Sequence, residues 1–233
     1  MRAAQALLIL LLLTAAAFAD DLADFKTAIG NVGAQNRAAI GALQNGNREL
    51  AELELDRLRA AWRQVSERKR PTAFKDSELY TTVMTDITTR LVSADMMIKF
   101  GRPDVAGTAL LGIRDNLYDL RKSAGIVVLA DCVRDANGAM EMLAAFGDRA
   151  SDVVKGDSAD LTVKAKGYGE ILGRCDGIAG PTKDDPAFRQ IIDDAKANLL
   201  LVTQAVAAHD ADLLRRALTE LRSLDALLAL RFG

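Results

Sequence analysis

Between residues 76 and 100 the chain repeats a single rhythm. Tyr80, Val83, Ile87, Leu91, Ala94 and Ile98 follow one another at intervals of three or four residues, the spacing that places side chains on one face of an α-helix. Asp76 or Ser77 is suited to cap that helix, and Gly101-Arg102-Pro103 ends it and starts another with proline in its first turn. The next stripe runs through Val105, Ala109, Ile113, Leu117 and Leu120. The same pattern returns 108 residues later, with Phe188, Ile191, Ala195, Leu199, Val202 and Val206 in register. Residues 86–125 align with 194–233 without a gap, and eight of the forty positions are identical, among them Asp104/Asp212, Arg114/Arg222 and Gly125/Gly233. A long ungapped match of this kind predicts an internal duplication.

The repeat length leaves room for four helices per copy. Helices are expected near 22–43, 48–68, 77–100 and 103–124, and again near 128–146, 159–177, 186–208 and 211–231. Between them lie "QNGNRE", "RKRPTAFKDS", "GDSAD" and "GPTKDDP", rich in the residues that favour turns. Half of the residues are hydrophobic but only 5% are aromatic, which suits Leu/Ala-rich helices better than sheets. The expected fold class is therefore all-α: two tandem antiparallel four-helix bundles, residues 20–125 and 126–233, joined through "SAGIVVLAD" (123–131). The first helix has the weakest pattern, because Gly30, Gly33 and Gly41 all lower helix propensity.

Residues 1–19 read as a cleaved signal peptide. Arg2 supplies the positive start, "ALLILLLLTAAA" the apolar centre and Ala17-Phe18-Ala19 the cleavage motif. An uncleaved N-terminal anchor is the alternative, although the run is short for a spanning helix. The mature chain is then expected in the periplasm, outside the membrane. The full chain has 30 basic and 32 acidic side chains, and cleavage removes only Arg2. This near balance provides no footprint for nucleic acid or an anionic membrane.

Cys132 and Cys175 are the only cysteines. Neither belongs to a C-x-x-C-H haem-attachment motif, and a chain with one histidine lacks the ligands for an ordinary Cys/His zinc site. If residues 128–146 and 159–177 form an antiparallel hairpin, positions 132 and 175 mirror each other about its turn. A structural disulfide is expected there, favoured by an oxidising compartment.

The stretch "DPAFRQIIDDAKANLLLVTQAVAAHDADLLRRALTELRSLDALLALRFG" (185–233) resembles the last two helices of cytochrome c′ and cytochrome b562 bundles. Residues 76–125 look like the same unit, and "DDLADFKTAI" (20–29) resembles its start more faintly. The resemblance implies a four-helix fold, but not a haem site. The haem-binding histidine of those families has no counterpart in "LYDLRKSAG" or "DALLALRFG", and Lys26 stands where the b562 type supplies methionine.

Other chemical candidates have simpler readings. His209, in "AAHDAD", is expected to serve a turn, with Asp212 capping or starting the last helix. Met84, Met96, Met97, Met140 and Met142 are expected to fill the core, because neither close pair chelates from one helix face. Trp62 continues the stripe Leu55, Leu58, Val65 and is expected in the core. "GTALLG" and "GYGEILG" lack the context of phosphate loops and are expected inside helices. The basic run "RQVSERKR" (63–70) is expected to complement a helix C-terminus. No catalytic, cofactor or metal residues emerge, so the expected protein is non-enzymatic and cofactor-free. It would bind a protein partner or small ligand, with homo-oligomerisation left open. The alternative is an electron-transfer protein holding haem non-covalently.

Overall fold

The computed structural model describes residues 2–156 and 158–233, with side chains from Asp21 onward. The expected signal peptide, residues 1–19, lies outside the residues whose side chains are described. Helices occupy Arg2–Gln44 (α1), Arg48–Ser66 (α2), Glu78–Lys99 (α3), Pro103–Ser123 (α4), Leu129–Ala144 (α5), Ala150–Lys155 (α6), Ala159–Ile178 (α7), Pro186–Ala207 (α8) and Ala211–Phe232 (α9). There is no strand among the described residues, and among them no helix is long and apolar enough to cross a membrane. The chain is all-α.

Two compact units divide between Val127 and Val128. In the first, α1 packs along α2 and α4, while α3 packs along the same two helices. Ile29, Leu55, Leu58, Ile87, Leu110 and Leu117 are almost wholly buried. Phe25, Phe74 and Tyr80 close one end, with ring centroids 5.1 to 6.1 Å apart. In the second, α5 packs along α7 and α9, while α8 packs along α7 and α9. Its core includes Met140, Leu161, Tyr168, Phe188, Leu218 and Leu228. Within it the buried Asp225 accepts hydrogen bonds from Asn137 Nδ2 at 2.7 Å and Tyr168 Oη at 3.2 Å. The short helix α6 falls where the sequence suggested only a loop. Val153 and Val154 bury their side chains in the second core, so six residues gain helical order through packing rather than through a long apolar pattern.

The helix ends follow local chemistry. Ser77 caps α3 by accepting from Tyr80 N, and Asp185 caps α8 by accepting from Ala187 N and Phe188 N. The α9 cap is Asp210, which accepts from Asp212 N and Leu213 N, whereas Asp212 sits in the first turn and pairs with Arg215 at 2.6 Å. After α3, Gly101 has φ +71°, with Gly101 N donating to Ile98 O and Arg102 N to Met97 O. After α8, His209 has φ +52°, with His209 N donating to Val206 O and Asp210 N to Ala205 O. These are the same helix-ending turn, 108 residues apart, and it demands a left-handed residue. Glycine meets that demand without cost. Histidine does not, but its Nδ1–H donates to Val154 O and so ties the turn to α6.

Cys132 on α5 and Cys175 on α7 form a disulfide, with Cα atoms 5.4 Å apart. Both residues are buried. In the chain-entropy description, a bridge spanning 43 residues stabilises its unit by about 4 kcal/mol. Reduction, or joint replacement of Cys132→Ser and Cys175→Ser, is expected to lower the thermal unfolding midpoint of the second unit. An unchanged calorimetric profile would contradict a structural role.

Candidate functional site

Room for a ligand is found on a seam between two helices. One open groove, of about 460 Å³, lies in the first unit where the end of α2 meets the outer side of α3. Arg68 and Arg70 stand at its basic end, and Tyr80, Met84, Thr85 and Thr89 form much of its wall. Its volume falls in the range of small-molecule sites.

Each wall residue is held by the helix that carries it. Thr85 Oγ1 donates to Thr81 O, Thr88 Oγ1 to Met84 O and Thr89 Oγ1 to Thr85 O, at 2.9 to 3.1 Å. These hydroxyl protons are therefore used inside α3. Trp62 Nε1 donates to Thr88 Oγ1 at 3.0 Å, placing the only tryptophan immediately behind the groove. Arg70 is fixed: Nη2 donates to Thr81 Oγ1 at 2.6 Å, Nη1 donates to Lys75 O at 3.1 Å, and the guanidinium lies 4.8 Å from the Tyr80 ring centroid. Burial raises the Tyr80 phenol above its ordinary range, and the Arg70 charge opposes part of that rise. The Arg68 guanidinium is exposed and has no side-chain partner among the described residues.

The second unit has a corresponding seam between the end of α7 and the start of α8, and it is closed by charge. Asp176 accepts from Arg189 Nη2 at 2.6 Å and from Lys196 Nζ at 3.3 Å, with Lys183 Nζ 4.0 Å away. The Arg189 guanidinium lies 5.3 Å from the Phe188 ring centroid, much as Arg70 lies over Tyr80. In the 108-residue register, Asp176 corresponds to Arg68, Arg189 to Thr81 and Lys196 to Thr88. The second seam supplies its own carboxylate to its cations. The first has a cation where that carboxylate would stand.

Several sequence expectations are refined by their positions. Trp62 is buried, as its stripe requires. Of the five methionines expected in the core, only Met140 is there; Met84 and Met97 are half-buried, and Met96 and Met142 are exposed. Periodicity placed them on helices, but adjacent stripes already filled the interior. Both glycine strings lie inside helices, α4 and α7. Gly112 gives the Arg90 guanidinium a seat against α4, and a Cβ on Gly169 would meet Leu199 Cδ1 at 3.3 Å. Lys26 is exposed beside the buried Phe25. The residues here do not fit an axial haem ligand, because the position facing inward carries a phenylalanine that stacks on Phe74 and Tyr80. Among the described residues no group of three or more His, Cys, Asp or Glu side chains is arranged to hold a metal ion. The groove itself escaped the sequence reading. Only the basic run that supplies Arg68 and Arg70 was visible there.

Comparison with protein-family models, with curated proteins and with solved structures finds no match to this chain.

Asp176 provides a test of the closed seam. Burial pushes its carboxyl upward, but hydrogen bonds and charge from Arg189 and Lys196 outweigh that effect and hold it below the usual range. A carboxylate whose folded pKa is depressed stabilises fully above its unfolded pKa, and that contribution fades as pH falls through the folded value. Asp176→Asn is therefore expected to cost about 1–2 kcal/mol at neutral pH, with the difference from the parent shrinking under acid. Denaturant titrations across pH check this; a pH-independent difference would contradict it.

Proposed function

We propose that this is an exported, non-enzymatic binding protein composed of two tandem antiparallel four-helix bundles of the cytochrome c′/b562 type without haem. Residues 1–19 direct it to the periplasm, and residues 20–125 and 126–233 form the two copies. Its role is to hold a small ligand or a partner segment at the α2–α3 groove of the first copy. The observation carrying this reading is the contrast between seams. One satisfies its cations internally through Asp176, while the other presents Arg68 without a partner beside an open, partly apolar groove.

Further support comes from helix packing. Each of the four long helices in a unit has two neighbours, as in up-and-down bundles. The ungapped match of residues 86–125 with 194–233 favours duplication over two unrelated hairpins. Disulfide bonding between Cys132 and Cys175 is consistent with an oxidising compartment. For binding, the groove places fixed cationic and apolar surfaces side by side, the arrangement by which small-molecule sites orient a ligand.

The direct test is native mass spectrometry combined with an absorption spectrum of the mature protein collected from the periplasm of an expressing bacterium. The expected result is a fraction carrying added non-haem mass and no Soret band. A Soret band that vanishes when one methionine is replaced would establish the electron-transfer alternative. Bare chain as the sole species would contradict the binding reading.

A further inference from the structure

We propose that the α2–α3 groove is a seat for an organic monocarboxylate with an apolar body, gripped by the Arg68 guanidinium. This rests on the binding reading above and names its ligand class. The head group follows from the donors present. Among the described residues Arg68 is the free cation at the groove, and a guanidinium offers paired N–H donors matched to one carboxylate. Arg70 contributes positive charge, but one N–H on each of its terminal nitrogens already serves Lys75 O and Thr81 Oγ1, and its guanidinium is held 4.8 Å from the Tyr80 ring centroid. A tetrahedral oxyanion requires donors on several sides. Three of the four groove threonines, Thr85, Thr88 and Thr89, spend their hydroxyl proton on a carbonyl of α3, which leaves only Thr81 among them to donate.

The tail follows from the same bonds. With those hydroxyls directed into the helix, the groove presents threonine methyl groups beside the half-buried Met84. An apolar body gains by covering that surface, whereas a strongly hydrated one loses water without finding equivalent donors. The second unit contains an internal precedent for the head group. There the Asp176 carboxylate lies among Arg189, Lys196 and Lys183, beside a guanidinium packed on an aromatic ring. In the first unit the ligand would provide the carboxylate that the chain lacks.

Trp62 supplies the readout through its hydrogen bond to Thr88. The full mature chain is titrated with decanoate while Trp62 fluorescence is followed, with decanol, acetate and inorganic sulfate as parallel probes. Decanoate should produce a saturable change, acetate a much weaker response, and decanol and sulfate essentially none. Arg68→Ala should weaken decanoate binding at least tenfold while leaving the circular dichroism spectrum unchanged, since this side chain has no partner among the described residues. Arg68→Asp, which restores the acidic residue found at position 176, should abolish binding by turning the ligand's charge away. Equal responses to decanoate and decanol would overturn the carboxylate assignment, as would sulfate competing as strongly as decanoate. Unchanged binding by Arg68→Ala would overturn the site. If decanoate is ignored while native mass still shows bound non-haem material, the ligand class fails and the binding reading stands.

Discussion

Burial of one apolar stripe from each long helix is the constraint on which the rest of the molecule depends. The helices can close around Ile29, Leu55, Ile87 and Leu117 in one unit, and around Met140, Tyr168, Phe188 and Leu228 in the other, only if they run alongside one another. That packing consumes the interior. Side chains at the seams and on the outer faces are not committed to the core. The two seams next to Tyr80 and Phe188 show how differently the same helical arrangement can use that freedom.

Their difference is electrostatic and, in part, architectural: α7 runs on to Ile178 and carries Asp176 within it, whereas α2 ends at Ser66 and Arg68 lies beyond it. A carboxylate at 176 draws Arg189 and Lys196 inward and locks α7 to α8. Arginine at 68 cannot do so beside Arg70, and Thr81 and Thr88 stand where the other seam has cations. Neutral threonines bonded into α3 leave space, and that space is the groove. Differences of charge thus accompany the difference between a seam clamped by Asp176 and an open one. In the second core the buried Asp225 is instead satisfied by Asn137 and Tyr168.

Much of this was legible in the sequence because its physics is local. Stripe spacing places α2 to α5 and α7 to α9 within a few residues of their observed bounds, and turn residues mark where they stop. Pairing of Cys132 with Cys175 follows from hairpin symmetry alone. What escaped depends on nonlocal packing. The helix α6 is too short to carry a period and is ordered by Val153 and Val154 meeting the core. His209 occupies a left-handed turn position, which few side chains adopt. The methionines were misplaced because a thioether is apolar enough for a core and tolerable outside one. Recognition of the groove required knowing that positions 68 and 176 occupy corresponding seams yet carry opposite charge.

Hydrogen exchange of the intact protein, resolved by peptide, tests most directly whether both units close their own cores. The account predicts slow exchange, limited by large-scale opening, for the central turns of α3 and α4 and equally for those of α8 and α9. Residues 67–77 and 145–149 should exchange much faster. Fast exchange throughout the central turns of either helix pair would show a core that its own stripes do not close, and would contradict the account.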